Sequence, residues 1–284
     1  MRKTNPTSLL KQSSVAGMLL ILSACGGGSA GTNEGNAVGK EIACALLSCK
    51  DSADLALQDI STHFVVTQRN GVVQISGRLG QSANILTVVR PSGNDQLSAS
   101  SNGQAVTLSA TDELRNRYSA QIPDASAQPF VIANFIRAGT TYSNTVTLPP
   151  TFSIVNPVGP VTLARSAGKL RVQFSRSMPG NLSIRVTMKC TRYDGSSFNE
   201  QSDLSFKLEP DAYRIDTLDL DRVLNARSVA ANNNNANTSL VSYCDLELTW
   251  SHYTIGSTHP SLNKYSTISG ERSVSHQVFY DARL

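Results

Sequence analysis

Leu182, Ile184, Val186, Met188 and Cys190 alternate with Ser183, Arg185, Thr187, Lys189 and Thr191, and later Cys244, Leu246, Leu248 and Trp250 alternate with Tyr243, Asp245, Glu247 and Thr249. Strict period-two alternation sends one set of side chains to a buried face and the other to solvent, which is the geometry of a β-strand. Both cysteines fall on the apolar faces. A bond between them needs either directly paired strands or two sheets packed face to face, and both geometries are open on the sequence. In an antiparallel pairing with 190 opposite 244, Lys189 lies across from Asp245 and Arg185 lies diagonal to Glu247. Such opposite-charge pairs contribute roughly 0.2–1 kcal/mol each.

The rest of the chain carries the same texture. Phe64 to Gln68 and Val72 to Ser76 flank Asn70 and Gly71, a strong hairpin signal. Further short runs follow at Ile85 to Val89, Ala105 to Ser109, Arg117 to Ile122, Phe130 to Arg137 and Ser143 to Leu148. Pro149 and Pro150 close that block, and a second opens with Phe152 and continues through Lys169 to Ser175. Short strands with frequent turn signals predict β-sandwiches. Residues 41–150 are expected to form one and residues 151–284 another. The segment 41–60 predicts a short helical turn, with Leu47, Leu55 and Leu57 capping the end of the first block.

At the other end of the chain the pattern differs. Arg2, Lys3 and Lys11 precede an apolar run from Val15 to Leu22, and no acid appears before Glu34. The run is shorter than the ~20 apolar residues a spanning helix needs. Charge, short apolar run and small residues together read as a secretory signal over residues 1–24. Leu22, Ser23, Ala24 and Cys25 resemble the lipobox of bacterial lipoproteins. The resemblance implies diacylglycerol and palmitate on Cys25, cleavage before it, and a membrane as partner through the N-terminal lipid. Gly26 in place of Asp after that cysteine implies delivery to the outer membrane. Residues 25–40, rich in Gly and with Val38 as the sole large apolar residue, lack the apolar surface to fold and predict a flexible tether with a reach on the order of 20 Å.

The stretch SNTVTLPPTFSIVNP, with KLRVQFS and LSIRVTMKC, resembles the joint between two immunoglobulin-like or fibronectin-like modules of bacterial surface proteins. The expected fold is therefore all-β, two immunoglobulin-like β-sandwich domains after a signal peptide and tether. Trp250 departs from the antibody pattern, because it follows the second cysteine instead of lying between the pair.

The chain is formally +4, but only +1 once Arg2, Lys3 and Lys11 are removed with the signal. That removes the electrostatic case for nucleic acid. Cys44, Cys49, Cys190 and Cys244 remain after Cys25. An even number in an oxidising compartment favours two disulfides, and spacing favours Cys44 with Cys49 and Cys190 with Cys244. CxxxxC is not zinc spacing, and no histidine pair sits at finger spacing.

Catalytic constellations are scarce. The sequence holds no GxSxG elbow, SxxK, phosphate loop or dinucleotide fingerprint in a strand–helix context. No cofactor, metal or catalytic set is expected. Three features stand against that. His252 and His259 flank the loop YTIGST. Asp216, Asp219 and Asp221 in RIDTLDLD offer oxygens of the kind calcium takes, with Asp219 and Asp221 on one strand face, although the EF-hand pattern is missing. Tyr213, Tyr243, Tyr253 and Tyr265 gather in the second block and suit sugar stacking. The reading is a membrane-anchored, non-enzymatic binding or structural module of the cell envelope with a protein or glycan partner. The alternative is a sugar-active or hydrolytic accessory protein with its site in the loops of the second domain.

Overall fold

The computed structural model describes residues 49–284 except 82, 83, 113, 179 and 236. The expectations for the signal segment 1–24, the lipid on Cys25, the tether 25–40, Leu47 and Cys44 concern residues outside this range. Cys49 is disulfide-bonded.

In chain order the strands are β1 (Lys50–Asp51), β2 (Ile60–Arg69), β3 (Val72–Gln81), β4 (Asn84–Arg90), β5 (Gln96–Ser101), β6 (Gln104–Thr107), β7 (Ser109–Ala110), β8 (Tyr118–Pro123), β9 (Phe130–Arg137) and β10 (Thr140–Thr147). They continue as β11 (Ile154–Asn156), β12 (Val161–Ala164), β13 (Lys169–Phe174), β14 (Leu182–Arg192), β15 (Ser197–Leu204), β16 (Lys207–Leu208), β17 (Tyr213–Asp216), β18 (Val241–Ile255) and β19 (Thr267–Asp281). One α-helix, α1 (Thr217–Ala230), lies among the described residues. The all-β architecture expected from the alternation is the one that forms.

Eleven strands build a single sheet whose main path runs β1-β4-β3-β2-β19-β18-β14-β15, with β8 beside β3 and β12 beside β19. A four-stranded sheet, β10-β9-β5-β6, closes one end. Between them lies a core of Phe64, Val66, Ile75, Ile122, Val131 and Phe135, each at most 1% exposed. A second four-stranded sheet, β11-β13-β17-β16, closes the other end together with α1. There the core holds Val172, Ile215, Leu224, Leu248, Trp250 and Tyr280, again each at most 1% exposed. Burying side chains of this size contributes about 1.5–3 kcal/mol each.

Asn70 (φ +51°) and Gly71 (φ +74°) join β2 to β3, and both positive angles are what a tight two-residue hairpin demands. Ala138 and Gly139 make the same turn between β9 and β10 at +49° and +78°, a position where Ala carries no sequence signal.

The disulfide joins Cys190 to Cys244. The two face each other across the antiparallel pair β14–β18, with Lys189 opposite Asp245. The bridge therefore lies within one sheet, and the alternative of a bridge between packed sheets is excluded. Arg185 lies diagonal to Glu247, as that register requires, but its guanidinium pairs instead with Asp203 on β15 at 3.2 Å. That residue stands directly opposite it, closer than any diagonal neighbour on β18.

Two further expectations change here. Asp219 and Asp221 lie in α1, not on a strand face. Leu218 and Leu220 mimic strand alternation, but the positions α1 buries are Thr217, Leu220, Leu224 and Ser228, spaced three and four apart. Two of those four are polar, so the helical stripe is faint in sequence. The 41–60 segment yields 3₁₀ turns at Ser52–Asp54 and Leu57–Asp59, and Leu55 and Leu57 do pack against the first core.

Polar anchors hold α1 in place. Asp221 Oδ1 accepts hydrogen bonds from Arg165 at 2.7 Å and from the Tyr280 hydroxyl at 2.8 Å. At the other end the buried Arg192 donates to Ser228 Oγ at 2.7 Å and to its carbonyl at 3.0 Å, setting a cation against the negative end of the helix dipole. Burial pushes the Tyr280 phenol up to about 12; the Arg165 hydrogen bond opposes that shift and Asp221 adds to it. The unfolded value is about 10. A raised folded pKa gives stability that is complete below pH ~10 and is lost as pH rises through ~12. Tyr280→Phe is expected to flatten the alkaline limb of a stability–pH profile measured by urea unfolding. An unchanged limb would show that the phenol does not couple to folding.

The two cores meet along a seam made by the far ends of β18 and β19. Residues 267–271 of β19 pair in parallel with His63 to Thr67 of β2, while residues 278–281 pair with β12. Leu262 and Ile268 belong to the first core. Arg272, 9% exposed, donates to the carbonyl oxygens of Pro149 at 2.6 Å and Ala127 at 2.9 Å. Its guanidinium thus ties β19 to the linker and to a loop of the first block. Burial holds it below the usual arginine range.

Candidate functional site

With the inner faces of the long sheet closed by the small sheets, its outer face stands open. Alternation dictates what lies there. On β14, β18 and the later half of β19 the buried apolar residues are those of the second core, so Arg185, Thr187 and Lys189, then Asp245, Glu247 and Thr249, then Ser273, Ser275 and Gln277 point outward. Parallel pairing of β19 with β2 carries the surface into the first block, where His63, Val65, Gln74, Ser76 and Arg78 continue it.

Three shallow cavities open on this face. One of about 580 Å³ lies over Lys189, Glu200, Asp245, Glu247 and Gln277. A second, about 390 Å³, is lined by Arg185, Gln201, Asp203, Tyr253, Glu271 and a set of Ser and Thr hydroxyls. The third, about 560 Å³, sits in the first block over His63, Arg78, Arg117 and Tyr118. A fourth cavity, about 390 Å³, lies elsewhere between Asp51, Arg90, Asp95 and Arg115. The outer-face surface is dense in hydroxyls, amides and alternating charges. Chemically it offers many hydrogen-bond donors and acceptors without a nucleophile activated by a base and an oxyanion donor set.

The residues singled out from sequence do not come together. His252 packs edge-on to Phe152 with ring centroids 6.4 Å apart. His259 sits edge-on to Tyr142 of β10 at 5.3 Å, and its backbone N–H donates to Asn144 Oδ1 at 3.3 Å. The two histidines thus pack against different blocks. Each acid of the RIDTLDLD segment has its own cation: Lys207 and Arg214 for Asp216, Arg222 for Asp219, and Arg165 for Asp221. The Lys207 hydrogen bond is the main reason the Asp216 carboxyl lies below its ordinary range. None of these five lines the cavities above. Among the described residues no three His, Cys, Asp or Glu side chains converge as a metal site.

The tyrosines are also dispersed. Tyr213 is buried, donates its hydroxyl to the Met178 carbonyl at 2.9 Å, and packs with Phe174, Phe206 and Trp250. Tyr243 stacks on Phe279 at 5.9 Å beneath the Arg283 guanidinium. Tyr265 is exposed under Lys264. Of the four, Tyr253 lines an outer-face cavity. The cluster over His63, Arg78 and Arg117 was missed from sequence. Its members are far apart in the chain, and only strand order unites them.

Neither the protein-family comparison nor the search of curated proteins yields a match. Among solved structures, CBD12 from CALX1.2 aligns at 9% identity over 78% of this chain and 98% of its own, with a TM-score of 0.21. The calcium binding domain CBD12 of CALX1.1 aligns at 8% identity over 78% and 99%, with a TM-score of 0.20. No helix among the described residues is long and apolar enough to cross a membrane.

Proposed function

We propose that the chain is a lipid-anchored lipoprotein of the outer membrane, facing the periplasm or the cell surface. In this reading it binds a protein or glycan partner through the outer face of its long sheet and catalyses no reaction. The observation that carries the binding role is that face itself: an uncovered polar surface that spans both blocks, with cavities lined by hydroxyl, amide and carboxylate groups. Such groups match the donors and acceptors of a polyhydroxylated ligand, and Tyr253 supplies a ring edge beside them. The anchor rests on LSAC at residues 22–25 and the charged, apolar segment before it. One acyl chain holds a membrane only marginally, so stable retention takes two or more.

Two measurements test the reading. Cys25→Ala is expected to move the protein out of the outer-membrane fraction or leave it unprocessed. Wild-type amounts in that fraction would refute the anchor. Thr187→Arg with Ser273→Arg fills the outer face without touching either core. Capture of the envelope partner by the intact lipoprotein is expected to fall in this variant at unchanged melting temperature. Equal capture would place the binding surface elsewhere.

A further inference from the structure

The outer face of the first block carries a charge arrangement that folding alone does not favour. In the antiparallel pair β3–β8, Gly77 stands opposite Tyr118. Arg78 follows Gly77 on β3 and Arg117 precedes Tyr118, so the two arginines lie just past the end of this ladder, and both line the cavity there. On the other side of β3, Arg78 faces His63, and His63 in turn faces Thr267 of β19. One row across the sheet therefore reads Thr267, His63, Arg78, with Arg117 beside its end. Two like charges gathered at one cavity repel each other. Neither arginine has an ion-pair partner among the described residues. Asp112, the acid that acts on Tyr118, has its Oδ1 accepting the Asn116 backbone N–H at 3.0 Å.

The same row floors the cavity of about 560 Å³. Its lining includes two arginines and no carboxylate. The other three cavities hold acids that balance or outnumber their cations. The hydroxyls of Ser76, Ser119 and Thr111 add neutral donors around the guanidinium groups. His63 is already engaged: Nε2 lies 3.1 Å from Ser61 Oγ and Nδ1 3.1 Å from Thr267 Oγ1. It buttresses the floor, and Gly80 makes this possible, since a Cβ there would stand 3.0 Å from Ser61 Oγ and 3.4 Å from His63 Nε2.

We propose that this cavity binds a phosphate-type oxyanion between Arg78 and Arg117. A phosphate monoester carries a charge of about −1.5 to −2 and three terminal oxygens, enough to engage two guanidinium forks at once. A single carboxylate satisfies only one. The cavity is larger than a phosphate group, so the group that bears the phosphate lies over Val65 and Gln74. The phosphate is either a lipid headgroup or a soluble phosphate ester.

The test uses the full chain carrying Cys25→Ala, so that no lipid contributes. Calorimetric titration with inorganic phosphate and with glycerol phosphate is expected to show saturable binding that weakens with added salt. Arg78→Gln and Arg117→Gln are each expected to weaken it at least fivefold, and the double variant to abolish it. The melting temperature of the double variant is expected to stay level or rise, because both side chains are exposed and the repulsion between them in the cavity is relieved. Arg176→Gln, an exposed arginine outside the cavity, is expected to leave binding unchanged. Vesicles of phosphatidylcholine with and without phosphatidic acid separate the sources. Binding that needs phosphatidic acid and both arginines identifies a headgroup, while soluble phosphate binding without vesicle binding identifies a soluble ester. No saturable binding, or equal binding by the double variant, overturns the proposal.

Discussion

Replacing Cys190 with Ala is expected to lower the melting temperature by about 6–20 °C. The bridge to Cys244 has a sequence separation of 54 and closes a long loop. Restricting such a loop in the unfolded chain contributes about 3–5 kcal/mol. Folded domains are stable by only about 5–15 kcal/mol, so the share is large. Both cysteines are buried, at 1% and 0% exposure, among Met188, Leu246 and Tyr280 of the second core. The loss is therefore centred there, while β2, β3 and β8 keep their own packing in the first core. Peptide mapping of non-reduced, acid-quenched protein is expected to show Cys190 joined to Cys244. Thermal unfolding of the wild type with and without reductant is expected to shift at least as far, since reduction also breaks the disulfide at Cys49. A reduced protein with an unchanged melting temperature would remove the bridge from the account of stability.

Gly256→Ala is expected to cost about 3 kcal/mol or more, near the upper end for a single overpacked site. Gly256 donates its N–H to the Ile268 carbonyl at 2.9 Å, and the next residue, Ser257, exchanges two backbone hydrogen bonds with Thr145 at 2.8 Å. A Cβ at position 256 would collide with the Thr145 carbonyl oxygen, and would stand 2.8 Å from both Val146 Cβ and Ile268 Cγ2. Backbone occupies that space, so no rotamer change relieves the clash. The bonds that tie the end of β18 to β10 and those that tie it to β19 cannot all survive. Gly93→Ala serves as the comparison. Nothing lies within 4 Å of its added Cβ, and its φ of +61° is the sole source of strain, about 1–2 kcal/mol. Urea unfolding of the two variants measures the difference. Equal midpoints would show that the seam yields without loss.

What the sequence by itself determined is whatever neighbours in the chain decide. Alternation at 182–190 and 244–250 specified two strands, their buried faces and the place of the disulfide, because side-chain direction in a strand has a period of two. Asn70 with Gly71 specified a hairpin, because both positions need a positive φ. The expectation of a lipid anchor at LSAC likewise rests on consecutive residues. The helix α1 escaped because two of the four residues it buries are Thr217 and Ser228, which carry no hydrophobic signal. The acids of RIDTLDLD suggested a cation site because one-dimensional reading cannot see Arg165, Lys207 and Arg214 arriving to neutralise them. Tertiary structure alone decided that β19 serves both cores, that Arg272 clasps the linker, and that Arg78 and Arg117 line one cavity. Each depends on which strand lies beside which. That order is set by burying two apolar faces of distant segments together, a choice no local pattern encodes.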